Sequence, residues 1–394
     1  MKKIATALLS CALAAATLAG CAANAAQVPQ ESQEPHTAAL TATAAASVKS
    51  PKYVFLFIGD GMSYPQIQST SDYLGALKDA DYWQAQPSLD DNQGAILDGP
   101  EYLNFMNFEA AGSAVTYDSN SFAPDSASTA TSISTGHKTY SGSINVDESG
   151  TIEYETIAEQ LKAQKGWEIG VITSVNLNHA TPAAFYAHQA SRSSYYEIGL
   201  ELVESGFDYF AGGGLLKPTG SSGDQTDLYE LAQEAGYTVA KTHAEADAIG
   251  TNTEKAIIID EDLADSDAMA YELDRTDDMW ALADYVAKGI EVLDNDTGFF
   301  MMCEGGKIDW ACHANDAAST IHDTQALADA VQVAIDFAKE HADETLILVT
   351  GDHETGGLTI GFAGTDYDTY LDLLESQKIS YAKYDSDYVA AYKE

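Results

Sequence analysis

The chain has 394 residues, of which 45% are hydrophobic, enough for a globular protein with one large core or two ordinary ones. Sixty-one acidic residues against 19 basic ones give a net charge of -42. This charge argues against nucleic acid or an anionic membrane surface as a partner, because both repel it. Any anion-binding site in such a chain has to be made locally positive by metal ions or arginine.

The N-terminus has the pattern of an export signal. Two lysines precede the apolar stretch Ile4–Ala19, which is too short to span a membrane comfortably. The stretch ends in Leu-Ala-Gly-Cys21, which resembles the lipobox of bacterial lipoproteins. That resemblance implies a signal peptide over 1–21, a lipidated Cys21, a flexible tether over 22–50 and an exported, lipid-anchored protein of the cell envelope. The alternative is a plain secretory signal that is cleaved near Ala26.

From residue 51 onward, short β-branched and aromatic runs alternate with longer helical stretches. This alternation predicts an α/β fold, a three-layer α/β/α sandwich around a largely parallel central sheet. The predicted strands are 53–58, 169–173, 256–259, 299–303 and 346–350, and the predicted helices lie near 155–165, 194–205, 277–293 and 314–340. We expect one catalytic domain over 51–394, within which residues 215–275 form a surface insertion.

Three predicted strands are followed by acidic residues beside glycine. The three sequences are Gly59-Asp60-Gly61, Glu304-Gly305-Gly306 and Gly351-Asp352-His353. Ligands of an open parallel sheet bind beyond the carboxyl ends of its strands, so these side chains are expected at one edge. Carboxylates that converge repel each other unless cations lie between them. The pattern therefore predicts a metal site.

A second candidate ligand pair and a candidate nucleophile come from helix signals. Asp309 and His313 are four residues apart, so they lie on one face of a helical turn and can chelate one ion. A carboxylate with an imidazole suits zinc, whereas oxygen ligands alone suit magnesium. Pro124-Asp125-Ser126 marks a helix start, which directs backbone N–H groups at an anion near Ser126. Ser126 is thus either a helix cap or a metal-activated nucleophile.

Two cysteines follow the N-terminal region. Cys303 and Cys312 do not form a C-x-x-C pair, so a cysteine zinc site is not expected. Two interpretations stay open: a disulfide in an oxidising envelope, or two small buried hydrophobic residues.

Five blocks of the sequence resemble the signature blocks of bacterial alkaline phosphatases. In chain order they are FLFIGDGM, PDSASTATSISTGHKTYSG, NLNHATPAAFYAHQASR, CEGGKIDWACHAND and VTGDHETGG. The resemblance covers roughly residues 52–214 and 296–361. It implies a phosphomonoesterase that hydrolyses small-molecule phosphate monoesters through a phosphoserine, uses two zinc ions and one magnesium ion, and is often a homodimer.

The resemblance also implies a role for each matching residue. Ser126 is the expected nucleophile, and Arg192 is expected to bind two phosphoryl oxygens with its planar fork. One zinc is assigned to Asp60, Asp352 and His353, and the other to Asp309 and His313. Magnesium is assigned to Asp60, Thr181 and Glu304. His188 is expected on a helix face and not among the ligands.

The sequence departs from the family pattern in two places. His179 and Trp310 stand where the enterobacterial type carries Asp and Lys, and a histidine at position 179 could favour zinc at the magnesium site. The family also supplies a further histidine to the Asp309/His313 zinc from a downstream strand, yet the last histidine here is His353. We therefore expect the chain to be a truncated reading of a longer gene that lacks the C-terminal part.

Three alternative functions can be considered, and two of them remain. A sulfatase would need a C/S-x-P-x-R motif at the nucleophile, and the residues after Ser126 are Ala-Ser-Thr-Ala. A phosphodiesterase of the same superfamily stays open, because the sequence does not show which groups restrict the leaving side. A surface lipoprotein that binds phosphate or metal with impaired catalysis is the third alternative, and the missing zinc ligand motivates it.

Overall fold

A computed structural model of the chain describes residues 50–84, 96–361, 364 and 367–393. The predicted signal peptide, Cys21 and all but the last residue of the predicted tether lie outside these residues. None of the described helices combines the length and the apolar composition that a membrane crossing requires.

A seven-stranded parallel sheet forms the centre of the fold. Its strands are β1 Tyr53–Gly59, β2 Glu168–Asn176, β3 Tyr209–Gly213, β4 Thr238–Ala240, β5 Ala256–Ile259, β6 Phe299–Gly305 and β7 Thr345–Gly351. The spatial order is β4-β5-β3-β2-β6-β1-β7, and every pairing is parallel.

Helices cover both faces of the sheet. They are α1 Tyr64–Lys78, α2 Ser126–Thr135, α3 Ile157–Lys165, α4 Ala180–Ala183, α5 Tyr195–Glu204, α6 Leu228–Glu234, α7 His243–Asp247, α8 Leu282–Leu293, α9 Lys307–His313, α10 Ala317–Glu340, α11 Tyr381–Tyr384 and α12 Ala390–Lys393. Short 3-10 helices occupy Tyr82–Gln84, Asn104–Asn107, Asp265–Asp267, Glu272–Asp274 and Leu371–Ser376, and Asp385–Val389 forms a π-helical turn.

The core divides into two layers because successive side chains of a strand point to opposite faces. In β1, Val54, Leu56 and Ile58 pack in a cluster with residues of α2 to α6. Phe55 and Phe57 pack on the other face with residues of α8 and α10. The predicted three-layer α/β/α architecture is confirmed, and all five predicted strands are present within three residues of their expected ends.

The predicted surface insertion over 215–275 requires a correction. This segment supplies β4 and β5, which extend the central sheet beyond β3. Leu228, Ala232 and Ile257 from the same segment are fully buried in the core. The sequence shows the strand at 256–259, but the acidic loops around it conceal that this strand pairs with the central sheet.

At the opposite edge of the sheet, β7 is only partly covered. Its residues alternate between intermediate and exposed positions, and Leu346 and Leu348 are 39% and 44% exposed. A parallel edge strand with apolar side chains on its open face is prone to association with other chains.

Candidate metal centre and active site

The carboxyl ends of β1, β6 and β7 meet at one point, because β1 lies between the other two with Gly59, Gly305 and Gly351 in register. Asp60, Glu304 and Asp352 are therefore brought together as the sequence predicts. The backbone at Gly61 has a φ of 68°, and a Cβ there would lie 2.9 Å from the Asp309 side chain. Glycine at this position lets the turn after β1 approach α9 closely.

Asp60, Asp352 and His353 form a buried cluster that could hold a metal ion. One potential ligand atom from each lies within 4.8 Å of those of the other two. The His353 Nε2 lies 3.2 Å from Asp60 Oδ1 and 3.7 Å from Asp352 Oδ2. Asp352 accepts hydrogen bonds from the Gly61 N–H at 3.1 Å and from the Thr129 hydroxyl at 3.1 Å, which fix its orientation.

The cluster contains more negative charge than its own groups can neutralise. Burial and the charge of Asp60 raise the pKa of Glu304 well above its usual value, and the same two causes raise the pKa of Asp352 to about 8. Burial opposes ionisation of Asp60 as well, but the hydrogen bond and charge of His353 outweigh burial and lower its pKa. The Oε1 atom of Glu304 is buried without a hydrogen-bond partner among the described residues. Crowded carboxylates with an unpaired oxygen fit a site for divalent cations.

Ser126 is the first residue of α2 and lies against this cluster. Its hydroxyl is 3.2 Å from Asp60 Oδ1 and 3.3 Å from His353 Nε2. Asp125 is the N-cap of α2, and its side chain accepts a hydrogen bond from the Ser128 N–H. The sequence left open whether Ser126 caps the helix or lies at a metal site. In the structure Asp125 caps the helix, and Ser126 faces the cluster.

Arg192 lies beside Ser126 and forms an ion pair with Asp125. Its guanidinium donates to Asp125 Oδ2 at 2.9 Å and approaches the His179 Nε2 at 3.3 Å. The ring of His179 meets Trp310 edge to face, with centroids 5.9 Å apart. Burial and the nearby Arg192 charge lower the pKa of His179 to about 4, so the imidazole is neutral at pH 7. A neutral imidazole nitrogen is able to bind a metal ion.

Asp309 and His313 lie on one face of α9, as predicted, but they form a more open pair. The His313 Nε2 is 3.5 Å from Asp309 Oδ1, and the His313 side chain is 71% exposed whereas that of Asp309 is 7% exposed. Neither residue belongs to a group of three or more metal-ligating side chains within the described part of the chain. Burial, followed by the charge of Asp60, raises the pKa of Asp309 to about 6.

The remaining predicted ligands are Thr181 and Glu304, which lie at the inner side of the cluster. The Thr181 hydroxyl is 3.4 Å from Asp60 Oδ2. Glu304 accepts a hydrogen bond from the Thr173 hydroxyl, and both residues are fully buried. All ten predicted site residues thus lie around one region, and their individual roles stay predictions.

Several residues of the site were not predicted. Thr355 donates to Asp309 Oδ1 at 2.7 Å and lies 3.2 Å from His353 Nδ1, so it connects the two candidate zinc positions. Its position two residues after His353 is the signal that could have identified it. Thr129 and Thr173 carry no such signal, because a threonine in a helix or a buried strand is common.

Lys307 is a further unpredicted residue near the site. It is fully buried, and its ammonium lies 4.2 Å from the centroid of the Tyr271 ring and 4.4 Å from that of Trp310. A cation over an aromatic face is attracted to the ring, so Lys307 helps to hold Trp310 against His179.

The structure also tests the expectations for the two cysteines and for His188. Cys303 and Cys312 are both free and buried, so the disulfide interpretation is wrong and the buried-hydrophobe interpretation is confirmed. His188 is not on a helix; it lies in the segment between α4 and α5 and contacts Glu159 and Glu201. The segment turns after α4, which breaks the helical spacing that the sequence suggests.

These residues surround a cavity of about 480 Å³ that is open to solvent. Ser126, Arg192, His313 and His353 are among the side chains that line it. A parallel α/β sheet whose strand ends gather carboxylates and a histidine beside an accessible serine defines a class of metal-dependent hydrolase sites.

The comparisons with known proteins agree with this class. Residues 51–393 match the family described as alkaline phosphatase, and the chain belongs to that family. It is 32% identical over 320 residues to alkaline phosphatase 4 of Bacillus subtilis, covering 79% of this chain and 63% of that enzyme. The chain therefore spans less than two thirds of that relative's length.

Solved structures show the same similarity. The cold-active alkaline phosphatase of a psychrophilic Shewanella species superimposes with a TM-score of 0.71 at 29% identity, covering 86% of this chain and 77% of that one. A histidine-to-glutamate mutant of the alkaline phosphatase from the Antarctic bacterium TAB5, with Mg bound in its M3 site, has a TM-score of 0.64 at 32% identity. The match covers 79% of this chain and 80% of the TAB5 chain.

Proposed function

We propose that this chain is a metal-dependent phosphomonoesterase, an alkaline phosphatase that hydrolyses phosphate monoesters through a phosphoserine at Ser126 and releases inorganic phosphate. One observation carries the proposal: the Ser126 hydroxyl lies 3.2–3.3 Å from two members of a buried cluster of metal-ligand type. A serine that only capped a helix would not need such neighbours. Membership of the alkaline phosphatase family supports the same activity.

Two zinc ions and one magnesium ion are proposed as cofactors. Asp60, Asp352 and His353 would hold one zinc, and Asp309 and His313 would supply ligands to the other. Asp60, Thr181 and Glu304 would hold magnesium, beside His179. The unpaired Glu304 oxygen and the surplus of carboxylates support this assignment. Bound divalent ions supply Lewis acidity and positive charge, which neutralise phosphoryl oxygens and favour an ionised hydroxyl.

The protein's own groups perform the remaining tasks. The Ser126 oxygen attacks phosphorus, so a P–O bond to serine forms while the ester P–O bond breaks and the alcohol leaves. Water then attacks the phosphoserine from the opposite side, which releases phosphate and regenerates Ser126. Arg192 binds two phosphoryl oxygens with its fork, and Asp125 holds the guanidinium in place. The N-terminus of the ten-residue helix α2 adds N–H groups and a favourable dipole at the same point.

The test is hydrolysis of p-nitrophenyl phosphate at alkaline pH with added zinc and magnesium. We expect turnover by the unmodified chain and none above background by Ser126→Ala. Ser132→Ala is the matched control, because Ser132 lies on the same helix and its hydroxyl donates to the Ser128 carbonyl within that helix. Equal turnover by the unmodified chain and Ser126→Ala would contradict the proposed nucleophile.

The second candidate, phosphate binding without turnover, is favoured by the exposure of His313 and by its absence from any group of three ligands in the described part of the chain. Calorimetric titration with inorganic phosphate separates the two candidates. Tight binding by a chain that shows no turnover would favour the binder. Hydrolysis of bis-p-nitrophenyl phosphate faster than of the monoester would instead favour a phosphodiesterase.

The proposed location is the cell envelope, with export by the N-terminal signal and a lipid on Cys21. Labelling of expressing cells with a radioactive fatty acid tests the anchor, and Cys21→Ala should remove the label. A signal that is cleaved near Ala26 would leave the mature chain unlabelled. The homodimer stays a prediction.

A further inference from the structure

A second group of metal-ligating side chains lies outside the proposed active site. His243 is the first residue of α7, and Asp260 and Asp262 follow β5. One potential ligand atom from each of the three lies within 4.8 Å of those of the other two. In the sheet, β3, β2 and β6 separate β5 from β1, so this group is distinct from the cluster at Asp60.

The imidazole of His243 is held in place, yet one of its nitrogens has no partner. The ring stacks on Trp280 with centroids 5.2 Å apart and an interplanar angle of 8°. Its Nε2 is buried without a hydrogen-bond partner among the described residues. The closest carboxylate contact of Nε2 is Asp262 Oδ2 at 3.9 Å, which is too long for a hydrogen bond. A buried imidazole nitrogen left unpaired costs free energy unless a ligand satisfies it.

Asp260 is oriented by groups around it. It is 4% exposed, its Oδ2 accepts from the Tyr285 hydroxyl at 3.0 Å, and its Oδ1 accepts from the Asp262 N–H at 2.6 Å. Burial raises the pKa of Asp260, so a nearby cation would stabilise its charged form. Ligands of bound metal ions are commonly oriented by such outer hydrogen bonds and ring contacts. Asp262 is the most exposed member at 37% of its side chain, so it is free to close on an ion.

We propose that His243, Asp260 and Asp262 bind one divalent transition-metal ion of the zinc type. One imidazole nitrogen with two carboxylates is a donor set that zinc and related ions accept. Calcium and magnesium prefer oxygen ligands alone, so the imidazole disfavours them. The neighbouring Glu261 adds a further negative charge, since it lies 3.8 Å from His243 Nδ1. The ion links the end of β5 to the start of α7.

The experiment counts zinc and locates it without using activity. The full chain is stripped with a chelator, equilibrated with zinc alone and analysed for bound zinc by mass spectrometry, and crystals are measured at the zinc absorption edge. We expect an anomalous peak between His243 Nε2, Asp260 and Asp262. His243→Gln and Asp262→Asn should each lose one equivalent of zinc.

His322→Gln is the matched control, because His322 packs against Tyr73 and belongs to no group of metal-ligating side chains in the described residues. It should retain the full zinc content. Equal zinc content in all four proteins, or no peak at His243, would overturn the proposal. A peak with calcium or magnesium and none with zinc would overturn the assigned class of ion. A zinc peak at His243 without one at Asp60 would count against the proposed phosphatase cofactors and would leave the proposal for the His243 site intact.

Discussion

Two clusters of charged side chains, one buried and one half-buried, differ in the pKa values of their carboxyl groups. In the cluster Asp60, Glu304, Asp352 and His353, one histidine faces three carboxylates, and the pKa values of Glu304 and Asp352 are raised. In the second cluster, His188 lies between two glutamates, with Nε2 3.5 Å from Glu159 and Nδ1 3.6 Å from Glu201.

The second cluster is charged throughout. Burial opposes the charge on His188, but Glu159 and Glu201 outweigh burial and raise its pKa to about 10. Burial likewise opposes ionisation of both glutamates, and the hydrogen bond from His188 outweighs it and lowers their pKa values. The difference teaches that one histidine between two half-buried carboxylates lets all three groups ionise. Three buried carboxylates around one histidine leave two pKa values raised, which a bound divalent cation would relieve.

The largest expected effect is the loss of a carboxylate from the first cluster. Asp352→Asn keeps the size of the side chain but removes charge that a metal ion needs. We expect kcat/KM for p-nitrophenyl phosphate to fall at least about 1000-fold, equivalent to about 4 kcal/mol of barrier. His188→Gln is the control and should retain the bound metal. A loss for Asp352→Asn that is no larger than that for His188→Gln would break the distinction between the clusters.

Removal of metal ions should affect stability through the first cluster. Without cations, the pKa of Asp352 is raised from 3.8 to about 8, so the folded chain binds more protons than the unfolded chain between these values. Stability of the metal-free chain therefore falls as pH rises from about 4 to about 8. We expect chelation at pH 8 to lower the free energy of unfolding by about 3 kcal/mol. Denaturant titrations with and without chelator measure it, and an unchanged midpoint at pH 8 would contradict the expectation.

The second cluster should also lose stability as pH rises, but in a higher pH range than the metal-free first cluster. The folded pKa of His188 is raised from 6.5 to about 10, so its stabilisation is fully present below pH 6.5 and is lost as pH rises through 10. His188→Gln should cost about 2 kcal/mol near pH 6. The cost should be nearly absent above pH 10, where the neutral imidazole of the unmodified chain no longer pairs with the glutamates. Denaturant titrations at both pH values test this, and a cost that does not change with pH would show that packing alone is responsible.

The smallest expected effect is at the open end of the active site. His313 is 71% exposed, so the zinc proposed there would be in contact with water and would be bound weakly. His313→Gln should lower kcat/KM about tenfold, or about 1.4 kcal/mol, at limiting zinc. Excess zinc should restore most of the loss, whereas it should not restore Asp352→Asn. A loss as large as that of Asp352→Asn would show that the two positions are equally essential.

The sequence predicts which acidic side chains converge, because strand ends and glycines mark them. Gly-Asp-Gly after β1 and Gly-Asp-His after β7 meet because both strands are parallel neighbours. The hydroxyl groups that contact the acidic side chains are harder to predict, since Thr173 bonds to a partner 131 residues away and Thr355 to one 46 residues away, although Thr355 is also marked by its closeness to His353 in the sequence.

The error over 215–275 has a related cause. The strand β4 has only three residues, too few to show a periodic pattern, and its place at the sheet edge depends on pairing with β5. The ion cluster of His188 was missed because Glu159 and Glu201 lie on two different helices. Side chains that meet from separate elements leave no local signal.

Gly61 sets the spacing between Asp352 and Asp309 in addition to forming the turn after β1. Its N–H donates to Asp352, and a Cβ added to it would lie 2.9 Å from Asp309. A peptide group has a fixed length, so it sets the spacing between two candidate ion positions independently of side-chain rotamers. An added methyl group at this residue would leave every ligand in the chain but change the gap between them, and chemistry that needs two charges at a set spacing would be lost.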